Sequence, residues 1–168
     1  IAGGGIDYSF PQVRAVPSGS FVWLQCNANG ALTIPHTNNT EWNHVVFTRT
    51  GGTITGYMNG EDQTVSTTGS DHSQTGIDFG ATDFDVQKFE FASTEYFRSG
   101  WVGDLRVYDD VLTADEVNFI YTSGKEGTDP TTTNLVSQWL LDEGTGTSAT
   151  DNAGSNTGTI TSATWATN

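Results

Sequence analysis

At 168 residues with a single cysteine, Cys26, the chain is long enough for one domain with a buried core but can form no internal disulfide. Six basic against twenty acidic residues give a formal charge of −14, which disfavours nucleic acid and anionic membrane surfaces as partners, since both require cationic patches. Only 35% of residues are apolar, so five Trp, nine Phe and five Tyr must supply much of the buried area, and twenty Gly with many Thr, Ser and Asn favour strands and turns over helices.

In chain order, "IDYSF" near the start reads as a short edge strand. "SFVWLQCNANGALTI" then gives an apolar run, an Asn29-Gly30 turn and a return strand, which is a hairpin signal. Cys26 lies on this hairpin and reads as a buried, inert thiol. "EWNHVVFTRTGGTITGYMNGEDQTVSTT" carries turns at Gly51-Gly52 and Asn59-Gly60, and so predicts a three-stranded meander. Residues 69–85 form an acidic segment with a short strand near Ile77–Gly80, and "KFEFAS" alternates as a strand should. "GWVGDLRVYDDVL" predicts a strand with Trp101, Leu105 and Val107 on one face. One helix follows in "LTADEVNFIYTSG". Thr113 and Glu116 have capping-box spacing, Val117, Ile120 and Tyr121 form an apolar stripe, and Gly124 is a stop. "GKEGTDPTTTN" has the composition of a linker. "LVSQWLL" and "GTITSATWATN" are strands separated by an acidic, Gly-rich loop. No apolar run is long enough to span a membrane. The chain starts at Ile1 with neither Met nor a signal-peptide pattern, so it is expected to be a processed product or a piece of something longer.

"EWNHVVFTRTGGTITGYMNGE" and "GWVGDLRVYDDVLTADEVNFIY" occur in the order, and at a separation, similar to the laminin-G-like branch of the concanavalin A-like lectins and glucanases. The first is similar to that family's Trp-x-His-Val strand and Tyr-x-Asn-Gly hairpin. The second is similar to its Asp-, Arg- and Tyr-bearing strand followed by a short helix. "QWLLDEGTGTSATDNAGSNTGTI" resembles the family's first strand and loop, yet here it lies after the other two. Three arrangements account for that order. Residues 134–168 fold back beside residues 1–123 as a circular permutation, the chain is a slice through a tandem array, or the tail completes a neighbouring copy. The permuted form is the favoured expectation, with 1–123 as the main sandwich, 124–133 as linker and Trp139 covered by its own chain.

The resemblance implies an all-β antiparallel sandwich, a jelly roll with one short helix. Its glucanase members place paired carboxylates as Glu-x-Asp-x-x-Glu on one strand. Here Asp83-x-Asp85 is followed by Lys88 where the second acid belongs, and Glu90 and Glu95, five apart, read as opposite faces of one strand. His36, His44 and His72 have no Ser or Cys partner at motif spacing, so no enzyme is expected. Calcium sites near these strands occur in the fold. Asp142, Glu143 and Asp151, with Asp104 brought near by strand pairing, are the candidate metal ligands, against the plainer reading of Asx-turns and caps. Tyr96, Arg98 and Trp101 are the candidate ligand-binding residues, aromatic platforms with a guanidinium for hydroxyls or a carboxylate, against strand-end core packing. Asn38-Asn39-Thr40 satisfies a glycosylation sequon.

The function expected from these observations is a non-catalytic, extracellular or surface-displayed recognition or adhesion module that binds a glycan or cell-surface ligand. The alternative is a structural building block, such as a virion decoration or fibre domain or a surface-filament repeat, self-associating through 134–168.

Overall fold

The computed structural model describes residues 12–16, 21–27, 30–35, 41–50, 53–63, 65–69, 85–86, 88–91, 94–97, 100–123 and 134–166. The expected strands in Ile6–Phe10 and Ile77–Gly80, the linker 124–133, and Arg98, His36, His72 and the Asn38 sequon lie outside the described residues. The chain divides into two compact units, one of Ile1–Met58 with Asp62–Gly100, the other of Asn59–Glu61 with Trp101–Asn168. The described elements are strands apart from one short helix, as the composition predicts.

In the first unit, β1 (Gln12–Val16), β2 (Phe21–Asn27) and β3 (Gly30–Pro35) form an antiparallel meander, with Val22 paired to Ala15 on one side and to Ile34 on the other. The expected hairpin is present, but Gly30, expected in its turn, opens β3 and pairs with Asn27, while Asn29 lies outside the described residues. β4 (Val45–Thr50), β5 (Thr53–Met58) and β6 (Glu61–Gln63) form the second predicted meander, β4 and β5 in register from Val45↔Met58 to Thr50↔Thr53. The Asn59-Gly60 turn between β5 and β6 has φ of 53° and 83°, the left-handed pair that a tight hairpin needs and that Asn-Gly adopts most readily. β7 (Ser66–Gly69) returns to the free edge of β3. β8 (Asp85–Val86) joins β1 in the one parallel pairing among the described strands.

The core of this unit sits at Ile34 of β3 and Met58 of β5, with Val45, Phe47 and Val65 against them. Ile34 is fully buried, a burial worth roughly 1.5–3 kcal/mol. Gly56 on β5 is required by this packing, because a Cβ there would overlap the Cγ2 methyl of Ile34. β9 (Lys88–Phe91) and β10 (Thr94–Phe97) make a two-stranded antiparallel ladder.

In the second unit, β11 (Leu105–Tyr108) leads into α1 (Ala114–Ser123). The strand is shorter than the sequence suggests. Asp104 has φ of 51°, which breaks the extended run, and Trp101 precedes the strand, exposed, instead of sharing a face with Leu105. The helix start follows the sequence closely. The Thr113 amide and hydroxyl donate to Glu116 Oε2 at 2.7 and 2.8 Å, and the Glu116 amide donates to Thr113 Oγ1 at 3.3 Å. Leu112 and Val117 occupy the staple positions flanking that box, and both are buried, as is Ile120. Tyr121, expected on the same stripe, is 42% exposed.

Candidate functional site

The tail of the chain is organised by its pairing to β11. β12 (Leu135–Trp139) runs antiparallel to it, with Leu105↔Trp139, Arg106↔Gln138, Val107↔Ser137 and Tyr108↔Leu135 as partners. The register shifts between Val107 and Tyr108, leaving Val136 opposite no residue. The ladder is extended by the Asp109 amide donating to Asn134 O at 3.0 Å and the Asp104 amide donating to Leu140 O at 3.3 Å. Beyond it lie β13 (Ser148–Ala149) and β14 (Gly158–Thr159), two residues each. The long final strand expected from "GTITSATWATN" therefore reduces to a bridge, and Ser162 at φ 56° turns the chain after it.

The loop between β13 and β14 closes around the carboxylate of Asp151. Its Oδ1 accepts the amides of Gln138, Ala153 and Gly154 at 2.9, 3.0 and 2.9 Å, and its Oδ2 accepts the Asn156 amide at 2.9 Å. The Asn152 amide donates back to Gln138 O at 2.7 Å, the Asn156 side-chain amide to Ser137 Oγ at 2.8 Å, and the Trp139 indole N–H to Asn156 O at 2.7 Å. Trp139 is half-buried by these contacts within its own chain. Gly154 has no room for a side chain, since a Cβ would sit 2.5 Å from Val136 O. Partial desolvation pushes the Asp151 pKa up, but the amides of Gly154, Asn156 and Gln138 and the Ser137 hydroxyl outweigh it and hold the carboxyl well below its ordinary range.

Asp104 is held differently. Arg106 grips it side-on, Nε to Oδ1 at 3.0 Å and Nη2 to Oδ2 at 2.7 Å, and Gln138 Nε2 adds a bond to Oδ1 at 2.9 Å. The pair is nearly buried, with 7% of the Arg106 side chain and 12% of the Asp104 side chain exposed. Burial works to lower the Arg106 pKa, but hydrogen bonds to Asp104 and Tyr108, with the Asp104 charge, hold it above its ordinary value. Such a pair specifies geometry more than it adds stability, and removing one partner would strand the other. The left-handed backbone at Asp104 turns its carboxylate back onto the side chain two residues ahead.

Glu143 Oε1 accepts the Thr150 amide at 2.6 Å, and that bond leads the causes lowering its pKa. Its Oε2 is buried without a hydrogen-bond partner. Asp142 is exposed. The four carboxylates picked out as metal ligands thus share one unit but not one centre. Among the described residues no group of three or more His, Cys, Asp or Glu is arranged to hold a metal ion. Asp151 and Asp104 have their oxygens turned toward N–H donors, which speaks against a cation at either carboxylate. The Glu143 orphan oxygen is the one feature on the other side.

The residues picked out for ligand binding do not share one element. Tyr96 lies on β10 opposite Phe89 in the first unit, while Trp101 lies in the second and is 78% exposed, the most exposed large apolar side chain described. Glu90 and Glu95 are Cα partners across the β9–β10 ladder. They do not lie on opposite faces of one strand, because the chain reverses between them. A local rule of alternation cannot foresee a reversal that only pairing defines.

Comparison with protein families matches residues 3–118 of the 168 to a laminin-G-like profile described as the concanavalin A-like lectin/glucanases superfamily. The chain belongs to this family. The matched residues take in the first motif, the second as far as Asn118 and the start of α1, and they stop before the tail. No curated protein and no solved structure gave a match. The mostly-β architecture with antiparallel ladders and one short helix is consistent with the family's fold. Laminin-G-like domains are generally non-catalytic, usually extracellular, and bind glycans or cell-surface ligands, so membership marks this chain as a carbohydrate- or ligand-binding module. Among the described residues, no helix is long and apolar enough to cross a membrane.

Proposed function

We propose that the chain is a non-catalytic recognition module of jelly-roll architecture, displayed outside the cell or on a surface, with carbohydrate as its ligand class. Family membership over residues 3–118 is the observation that carries this reading. Trp101 supports it locally: an indole 78% exposed, shortly before the Asp104–Arg106 pair in the chain, is the kind of aromatic surface that a sugar ring stacks on. Tyr96 and Arg98 are the further candidates. Residues 134–168 complete the fold of their own chain, a reading supported by the β11–β12 ladder.

A glycan array probed with the purified chain tests the function. Binding to a defined glycan class is expected. Trp101→Ala should weaken it by about 30-fold or more, the loss of an aromatic anchor worth roughly 2 kcal/mol, with the circular-dichroism spectrum unchanged. An array without hits, together with concentration-dependent assembly in size-exclusion chromatography, would instead favour the structural building block. The backbone register of Glu90 with Glu95 is the one observation that favours the glucanase reading. Reducing-end release from β-glucans that Glu90→Gln abolishes would replace the binding module with an enzyme.

A further inference from the structure

We propose that the tail loop is locked by the chain's own hydrogen-bond donors in place of a cation, so that its order is independent of calcium. The argument concerns the direction in which the carboxylate lone pairs face. A calcium ion takes about six to eight oxygens and is repelled by N–H groups and guanidinium charge. Asp151 spends both oxygens on four backbone amides, contributed by β12 (Gln138) and by the loop itself (Ala153, Gly154 and Asn156). Asp104 spends both on Arg106 and Gln138. Glu143 spends one on Thr150. What remains is exposed Asp142 and the single orphan oxygen of Glu143, too few carboxylate oxygens to recruit the ion.

The same donors perform the work a structural ion would do. Asp151 ties the β13–β14 loop to the Gln138 amide of β12, and Asp104 ties β11 to the Gln138 side chain. Gln138 is therefore the shared hinge of both locks, donating to one carboxylate from its backbone and to the other from its side chain. The pairing of β11 with β12 sets Gln138 directly opposite Arg106, which lets one residue serve both.

The test is thermal unfolding of the full chain in 1 mM EGTA (about that concentration) against excess CaCl2, followed by tryptophan fluorescence, with calorimetric titration of CaCl2 alone. The expected result is the same Tm in both. An ion present at about a thousand times its Kd would raise Tm by roughly 10 °C in a domain of this size. A rise of that order, abolished in the double variant Asp142→Asn with Glu143→Gln, would overturn the proposal. A rise retained in that variant but abolished in Asp151→Asn would overturn it as well. Gln138→Ala, which keeps the backbone donor and deletes the side-chain one, should lower Tm equally with and without calcium.

Discussion

Asp151 gathers four backbone amides, so its protonation should set the acid limit of the tail. Its folded pKa lies below the unfolded carboxylate value near about 3.9, so its contribution is complete above that value and is lost as the pH falls below it toward the folded pKa. Glu143 has the same sign. The urea midpoint should therefore fall as the pH drops below roughly 4 and keep falling toward about pH 2. Asp151→Asn, whose amide would turn an N–H toward donors, should flatten that dependence. The substitution should cost about 1–2 kcal/mol at neutral pH, toward the low end because the loop faces solvent. An unchanged acid profile in Asp151→Asn would assign the limit to other carboxylates. In the sequence Asp151 was visible as an acidic loop residue, but its choice between calcium and amides was not. That choice depends on Gln138, thirteen residues earlier and brought near by strand pairing.

At the scale of elements, the helix was the most legible part. Thr113-Ala-Asp-Glu116 announces its own start because every group of the capping box lies within one turn, and the structure realises each bond of it. Thr113→Ala removes two of those bonds and should cost about 1 kcal/mol, read as a Tm lower by roughly 2–4 °C. The β5–β6 hairpin was legible for the same reason, its Asn59-Gly60 turn being local. The long strand through Trp101 was not, because one left-handed residue, Asp104, ends it, and that conformation answers to Arg106 and Gln138. The final strand was over-read in the same way. Its Gly-, Ser- and Thr-rich run alternates too weakly to show that, among the described residues, the strand would span Gly158–Thr159 alone.

For the whole molecule, the tail is the decisive feature. Residues 134–166 supply β11 with its described ladder partner, and half-buried Trp139 bonds to Asn156 within the same segment. A chain ending at residue 133 leaves Leu105 and Val107 on an unpaired edge and should aggregate or unfold, seen as a loss of the monomer peak in size-exclusion chromatography. A truncated chain that stays monomeric, with an unchanged Tm, would instead point to the tail serving a neighbouring copy. The family match ends at residue 118, so sequence similarity alone says nothing of the tail, whereas the structure pairs its β12 with β11.

By itself the sequence determined what is local or compositional: an acidic, strand-rich chain, its Asn59-Gly60 hairpin, its one capped helix, and two motifs specific enough to place it in a lectin-like family. Each of these rests on interactions within a few residues or on a pattern the chain repeats. The tertiary structure alone decided which distant groups meet. It set Glu90 against Glu95, Arg106 against Gln138, and the amides of β12 and its loop around Asp151. Carboxylates are chemically equivalent along a chain. Whether one awaits a cation or is already satisfied depends on the donors that long-range pairing brings to it.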